Sequence, residues 1–146
     1  MFSKDFKEFI ELLIKNEVEY LVVGGYAVAI NGYPRYTGDL DIWIRRTQAN
    51  AEKTLKTLHD FGFNFSNLSI EDFTKEDNVI QLGNPPLRID LLTQIDGVIF
   101  DECFANKKEV NIEGVQVNFI SYDDLRKNKA ATGRLRDQTD LENLKP

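Results

Sequence analysis

The stretch LVVGGYAVAINGYPRYTGDLDIWI, residues 21–44, decides the fold of this chain. Its apolar start, Gly-Gly pair, short apolar run and polar loop predict a strand, a turn, a short helix and a second strand. Asp39 and Asp41 lie on that second strand. Because side chains alternate along a strand, both carboxylates face one side, about 7 Å apart, while Leu40 and Ile42 face the core. Two like charges side by side repel each other, and a divalent cation would relieve that repulsion.

The length and composition of the chain limit the classes of protein to which it can belong. A chain of 146 residues is long enough for one hydrophobic core, and we expect one domain, residues 1–146. No apolar run approaches the roughly 20 residues that span a bilayer. The charges spread through the N-terminal residues are not typical of a signal peptide. With one cysteine, Cys103, an internal disulfide is excluded. We therefore expect a cytoplasmic protein.

The charge balance is acidic, with 24 acidic against 18 basic residues and a formal net charge of −6. Binding to an extended duplex depends largely on phosphate neutralisation and normally needs a basic surplus. We therefore do not expect extended duplex DNA binding. A small anion or one RNA end would need only a local basic cluster.

The rest of the chain alternates helical and strand patterns without repeats or linkers. Helices are predicted over 3–16 with Ser3 as N-cap, over 26–30, from Thr47 to His59, over 98–105, and after Ser121 to 144 with a break near Gly133. Strands are predicted over 18–23, 39–44, 79–82, 87–92, 109–112 and 115–120, and the last four form two hairpins. A capping-box-like start pairs Ser121 with Asp124. Residues 64–77 match no pattern.

Two further features accompany the paired aspartates. Gly24 and Gly25 lie between a buried strand and a helix start, where backbone N–H groups favour an anion such as phosphate. Asp90 lies in the otherwise apolar strand pattern LRIDLL, residues 87–92. It is either a rim carboxylate paired with Arg88 or a third converging acid. Three converging carboxylates suit Mg²⁺, and two such ions can hold the attacking and leaving oxygens of phosphoryl transfer.

The order of these motifs resembles the polymerase-beta-like nucleotidyltransferase superfamily. The segments GGYAVA, residues 24–29, and PRYTGDLD, residues 34–41, are most similar to its small bacterial members. These members are minimal nucleotidyltransferases and nucleotidyltransferase toxins of abortive-infection type. The tail, residues 122–144, is also similar to theirs, with Lys129, Arg134, Asp137 and Asp140.

The resemblance implies an α/β (α+β) nucleotidyltransferase fold, a single domain with a mixed β-sheet flanked by helices. It also implies transfer of a nucleoside monophosphate from a nucleoside triphosphate, ATP among the candidates, to an acceptor hydroxyl with release of pyrophosphate. In that family the acids at Asp39 and Asp41 bind two metal ions, here Mg²⁺ with Mn²⁺ as the alternative. The acid at Asp90 binds the ion that activates the acceptor. The toxin branch would add an antitoxin protein as partner.

Four other residues are second-rank candidates for binding the triphosphate. Arg35 and Thr37 immediately precede the acid strand, and Lys129 and Arg134 lie on the C-terminal helices. A solvated loop arginine and a helical salt-bridge face with Asp137 are the structural alternatives. Three remaining residues are expected to be structural: Trp43 by packing, His59 at the surface and Cys103 near the core.

Two questions stay open in the sequence. The first is whether the chain is an enzyme or a non-catalytic nucleotide-binding or partner-binding module on the same fold. The second is the acceptor, which is a small hydroxyl compound, a transfer RNA 3′ end or a protein side chain. The acidic balance favours a small or cationic acceptor, whereas a modest basic cluster of residues 126–136 would suit RNA.

Overall fold

The computed structural model describes residues 2–63, 67–84 and 87–144. Within these ranges the chain forms seven helices and six strands. The helices are α1 (Lys4–Lys15), α2 (Gly24–Ile30), α3 (Gln48–Asp60), α4 (Ile70–Thr74), α5 (Phe100–Ala105), α6 (Tyr122–Thr132) and α7 (Leu135–Asn143), and the strands are β1 (Tyr20–Val23), β2 (Asp39–Ile44), β3 (Val79–Asn84), β4 (Leu87–Leu92), β5 (Lys108–Ile112) and β6 (Val115–Phe119). None of these helices combines the length and apolarity that a bilayer crossing needs.

The strands form one mixed sheet in the order β3-β4-β2-β1-β6-β5. β2 pairs in parallel with β4, and β1 pairs in parallel with β6, whereas the other three pairs are antiparallel. The expected mixed sheet flanked by helices is therefore confirmed. The acid strand β2 occupies an interior position of the sheet, between β4 and β1.

The two faces of β2 separate core from cleft. Leu40, Ile42 and Ile44 are completely buried, as the alternation predicts. All four residues of β1 are buried too, which confirms a strand covered on both faces. The opposite face of β2 presents Asp39 and Asp41, which are only partly buried. The core therefore fixes the direction in which both carboxylates point.

Helix starts follow the predicted caps closely. The side chains of Ser3, Thr47 and Ser121 each accept a hydrogen bond of 3.2 Å from the backbone N–H three residues later. The predicted break at Gly133 is confirmed as a left-handed C-cap with φ 71°. The carboxylate of Asp124 does not close a capping box. Burial, together with the charge of the nearby Asp124 carboxylate, raises the pKa of the Cys103 thiol to about 12.

Sequence and structure differ in three places. The Gly-Gly pair is the first turn of α2 rather than a separate turn, and the helix predicted from residue 98 begins at Phe100. Residues 64–77, which matched no pattern, contain α4, where Ser69 and Asp72 form a capping box and Phe73 is buried. The β3–β4 and β5–β6 hairpins are confirmed. The predicted turn residues Pro85 and Pro86 lie outside the described residues.

Candidate active site

The strand register brings the three predicted carboxylates to one face of the sheet. In the parallel pair β2–β4, Asp41 lies beside Asp90 and Asp39 beside Arg88. All three aspartates line one cleft of about 620 Å³, together with Gly24 and Gly25. The residues that the sequence singled out over a span of more than sixty positions therefore meet in one place. We call the three aspartates and Arg88 the acidic floor.

Arg88 bridges two members of the acidic floor. Its Nε lies 2.9 Å from Asp90 Oδ1, and its Nη2 lies 3.1 Å from both Asp90 Oδ2 and Asp39 Oδ2. The hydrogen bond to Asp90 and the charge of that carboxylate raise the pKa of Arg88. The sequence offered two alternatives for Asp90, pairing with Arg88 or convergence with the other two acids. In the structure Asp90 does both.

Asp41 is the unbalanced member of the floor. Among the described residues, no side chain or backbone group gives its carboxylate a hydrogen bond or an ion pair. Burial raises the pKa of Asp41 to about 6, the charges of Asp90 and Asp39 add to the rise, and Lys129 and Arg88 only partly oppose it. The floor therefore carries more negative charge than its own cations offset.

The glycine pair is required by close approach to the acid strand and the preceding loop. Gly24 has φ +67°, and a Cβ placed on it would lie 2.1 Å from Asp41 Oδ2. A Cβ on Gly25 would lie 2.6 Å from the hydroxyl oxygen of Thr37 and 3.4 Å from Arg35 Nη1. Contacts this short exclude any side chain at these positions unless the neighbours move. The backbone of α2 therefore borders the cleft directly.

A second charged group faces the floor from α6, α7 and the loop before β2. The buried Lys129 amine lies 2.6 Å from Asp137 Oδ1 and 3.2 Å from Asp140 Oδ2. Arg35 binds Asp140 through two hydrogen bonds, each 2.9 Å long. Arg134 donates through Nε to Asp137 Oδ2 at 2.6 Å while most of its side chain stays exposed. We call these five residues the α6–α7 cluster.

Internal ion pairing dominates the α6–α7 cluster. Burial works to raise the pKa of Asp137, but hydrogen bonds from Lys129 and Thr132 outweigh it and hold that pKa below its usual value. The salt-bridge alternative foreseen for Arg134 is therefore present. Arg35, Lys129 and Arg134 nevertheless line the cleft, so a structural role and a position for contacting a phosphate are combined in the same side chains. Thr37 also lines the cleft, and its hydroxyl donates to the Asp39 carbonyl at 3.3 Å.

Several residues of the cleft were not found from the sequence. Tyr36 and the strand residues Val79, Gln81 and Leu92 line it as well, and so does Arg136, which the sequence offered only as part of a basic cluster for RNA. For Gln81 a partial signal existed, because alternation along the predicted hairpin places it on the face of Asp90. The predicted turn over 83–86 would pair it with Arg88, whereas β3 and β4 extend to Asn84 and Leu87 and place it opposite Asp90. The three residues expected to be structural are so placed: Trp43 packs edge-on against Phe100 with centroids 5.0 Å apart, Cys103 is buried, and His59 is exposed.

The chemistry of the floor fits a divalent cation. Its ligand candidates are all carboxylate oxygens, the type that Mg²⁺ prefers, and burial together with the charges of Asp90 and Asp39 raises the pKa of Asp41. As they stand, no three Asp, Glu, His or Cys side chains in residues 2–63, 67–84 and 87–144 converge tightly enough to ligate one ion. The guanidinium of Arg88 joins Asp39 to Asp90 in that arrangement.

The fold and this cleft define a protein of the nucleotidyltransferase class. A family described as nucleotidyl transferase of unknown function (DUF2204) matches residues 2–146, and the chain belongs to that family. No curated protein matches the sequence.

Solved structures of similar fold agree with this assignment. The lincosamide antibiotic adenylyltransferase LnuA, solved with lincomycin bound, is 18% identical with a TM-score of 0.63, over 99% of this chain and 96% of that chain. A nucleotidyltransferase-class protein of Thermotoga maritima, TM1012, is 16% identical with a TM-score of 0.62, over 94% and 88%. An antigenic nucleotidyltransferase-like protein of Paracoccidioides brasiliensis is 17% identical with a TM-score of 0.56, over 96% and 72%. These likenesses establish the fold, and the toxin branch stays a prediction.

Proposed function

We propose that this protein is a Mg²⁺-dependent nucleotidyltransferase that moves a nucleoside monophosphate from a nucleoside triphosphate to an acceptor hydroxyl. One observation carries the proposal. Asp41 is a partly buried carboxylate without a hydrogen bond from the described residues, beside Asp39 and Asp90, and its pKa is raised to about 6. A carboxylate in this position is destabilising unless a ligand from outside supplies positive charge.

Asp39, Asp41 and Asp90 are the residues that would hold Mg²⁺, or Mn²⁺ as the alternative. When bound, the ion would offset the charge of the carboxylates and of the triphosphate and polarise the phosphoryl oxygens. Without an ion, the guanidinium of Arg88 offsets part of the negative charge of Asp39 and Asp90 through its ion pairs with them.

The chain's own residues would bind and orient the reactants. Gly24 and Gly25 keep side chains out of the cleft where its floor meets α2, so that the phosphates can approach the backbone. Thr37, Arg35, Lys129 and Arg134 border the same cleft and would complete the phosphate contacts from the facing side.

The transfer step balances without any other reactant. The acceptor hydroxyl oxygen forms a bond to the α-phosphorus, and the bond from that phosphorus to the oxygen of the β-phosphate breaks. Pyrophosphate leaves with the electron pair of that bond. The hydroxyl proton passes to Asp90 or through it to water. The protein contributes position and electrostatics, and the triphosphate supplies the driving force.

The test is label transfer from each of the four nucleoside triphosphates, labelled at the α-phosphate, with Mg²⁺ and a cell extract as the source of acceptor. We expect one extract fraction to take up label with wild-type protein and none with Asp41→Asn. Asp123→Asn, at an exposed position on α6, is the matched control and should transfer at the wild-type rate. Wild-type transfer by Asp41→Asn would refute the assignment of the acids.

One observation favours the alternative, a non-catalytic nucleotide-binding module. Arg88 already bridges Asp39 and Asp90, so a nucleotide could be sensed through displacement of Arg88 without any transfer. Calorimetry separates the two functions. A triphosphate that binds with Mg²⁺ but labels no fraction of the extract would support the module and refute the transferase.

A further inference from the structure

We infer that the acceptor binds against an uncharged strip of Val79, Gln81 and Leu92, and that the acceptor is a small hydroxyl compound without phosphate groups. The inference rests on the proposed transferase function and adds to it the side of the cleft that receives the acceptor. It also assigns the chemical class of that acceptor.

The strip lies next to Asp90 on the same face of the sheet. In the antiparallel pair β3–β4, Gln81 is opposite Asp90 and Val79 is opposite Leu92. Residues two apart on a strand share a face, so Leu92 follows Asp90 along β4. Gln81 and Val79 continue the same face onto the edge strand β3. All three border the cleft. A molecule lying on the strip would present a hydroxyl beside Asp90.

The two sides of the cleft differ in charge. The basic residues that border it, besides Arg88 in the floor, come from the loop before β2 and from α6 and α7: Arg35, Lys129, Arg134 and Arg136. The strip contains none. Val79 is 48% exposed although it is apolar, and Gln81 is exposed with no hydrogen bond from the described residues. Exposed edge strands are usually protected by charged side chains, so an uncharged strip here indicates a ligand surface.

The same separation argues against a polynucleotide acceptor. Of the basic residues in α6 that could have formed an RNA patch, Arg126 donates to the carbonyls of Leu141 and Leu144, Lys127 is paired with Asp124, and Lys129 is buried. An RNA end would need cations on the acceptor side to neutralise its phosphates. The triphosphate, in contrast, has its cations on the opposite wall.

A second cavity lies near the strip, and among the residues that the structure describes three acidic and two basic side chains border it. It has a volume of about 680 Å³ and begins at Trp43 and Thr93, immediately beyond Leu92. Its two arginines are already paired, Arg45 with Glu19 and Asp101 and Arg46 with Glu76. The carboxylate of Asp96, which also borders it, has no ion pair within the described residues. An acceptor that extends past the strip would therefore meet negative charge, which favours a neutral or cationic molecule over an anionic one.

The experiment compares acceptors and variants with the full chain. The probes are lincomycin, a set of aminoglycosides, the small-molecule fraction of a cell extract, and its RNA and protein fractions. Label from the preferred triphosphate should enter the small-molecule fraction or one of the pure small compounds. Calorimetry of the same triphosphate with Mg²⁺ is the readout that does not depend on an acceptor.

The double variant Val79→Ser/Gln81→Ala should raise the half-saturating acceptor concentration about tenfold or more and leave that of the triphosphate unchanged. Val110→Ser/Gln116→Ala, which alters a valine and a glutamine in the hairpin at the other edge of the sheet, is the matched control and should change neither. Circular dichroism checks that both variants fold.

The outcomes separate this inference from the proposed function. If label enters only RNA or protein, or if the strip variant alters triphosphate and acceptor equally, the inference is wrong and the transferase stands. If the triphosphate binds but no fraction takes up label, the transferase is wrong and the acceptor assignment fails with it. Failure of the triphosphate to bind has the same consequence.

Discussion

Two charged regions face each other across the cleft, and they are built differently. The acidic floor has three carboxylates and one guanidinium, and it leaves Asp41 without a partner among the described residues. The α6–α7 cluster has two carboxylates, Asp137 and Asp140, and three cations, and every carboxylate there is paired. Burial alone does not explain the difference, because Asp137 and Asp140 are more buried than Asp41.

The comparison shows how a carboxylate that stabilises the fold differs from one that would bind a ligand: the first is paired within the protein and the second is not. A paired buried carboxylate becomes a serious loss only when its partner is removed. An unpaired one is unfavourable as it stands, and its removal is a gain unless a ligand is bound. Neutralising an acid should therefore have opposite signs in the two regions, which the following predictions test in order of expected size.

The largest effect is expected from Asp137→Ala in the α6–α7 cluster. Lys129 would lose its 2.6 Å contact and Arg134 its only ion pair among the described residues. Because Lys129 is buried, we expect the free energy of unfolding to fall by about 3 kcal/mol. Urea denaturation at pH 7 measures this loss.

The control for that variant lies on the same helix. Glu142→Ala removes an exposed carboxylate from α7 and should change the free energy of unfolding by less than about 0.5 kcal/mol. A loss of similar size in both variants would mean that the helix, and not the buried pair, is sensitive to substitution.

A gain in stability is expected from Asp41→Asn in the acidic floor. The substitution removes a charge whose pKa is raised from 3.8 to about 6, and we expect the metal-free protein to be stabilised by about 1–3 kcal/mol at pH 7. Added Mg²⁺ should raise the melting temperature of wild type and not that of the variant. Thermal unfolding with EDTA and with Mg²⁺ measures both effects.

The sign of that effect decides the comparison. If Asp41→Asn destabilises the metal-free protein as Asp137→Ala does, then Asp41 is a structural carboxylate and the two regions do not differ in purpose. Asp72→Ala, in the capping box of α4, is a useful contrast because it removes the oxygen that accepts from the Ser69 N–H and should destabilise by about 1 kcal/mol through loss of a helix cap.

The acidic floor could be predicted from the sequence, whereas the α6–α7 cluster could be predicted only in part. Alternation along β2 places Asp39 and Asp41 on one face without any knowledge of the rest of the chain. The pairing of Arg35 with Asp140 joins residues 105 positions apart, and no local pattern contains it. The basic residues of α6 could not be told apart in the sequence. Packing buries Lys129 in an ion pair, whereas Lys127 is exposed and Arg126 is half-buried.

The acceptor strip lies between these cases. Alternation along the predicted hairpin places Gln81 on the face of Asp90. Its partner was not predictable, because the four-residue turn expected over 83–86 would pair Gln81 with Arg88 and the observed register pairs it with Asp90. The sequence alone could not predict that this side of the cleft is uncharged, because the position of the basic residues depends on where α6 and α7 pack. Local rules therefore predict the catalytic candidates, and tertiary packing determines the surfaces around them.

A pH dependence should distinguish wild type from Asp41→Asn. The pKa of Asp41 is raised, so the folded state takes up a proton more readily than the unfolded state, and metal-free wild type should gain stability as the pH falls from 7 through 6. The advantage of Asp41→Asn should shrink over the same range and vanish below about pH 4, where both states of wild type are protonated. Urea titrations at pH 4, 5, 6 and 7 with EDTA test this, and an advantage independent of pH would contradict it.

The smallest effect is expected from Arg88→Gln, and it shows how far the floor balances itself. Arg88 is one of two cations that hold down the pKa of Asp41, the other being Lys129. Its removal should move the midpoint of the Asp41 titration, followed by carboxyl ¹³C NMR in metal-free protein, to a pH above that of wild type. Arg46→Gln, which removes a cation paired with Glu76, should leave the midpoint where it is. An unchanged midpoint in Arg88→Gln would mean that solvent screens the guanidinium from Asp41, and Arg88 would then serve only to join Asp39 to Asp90.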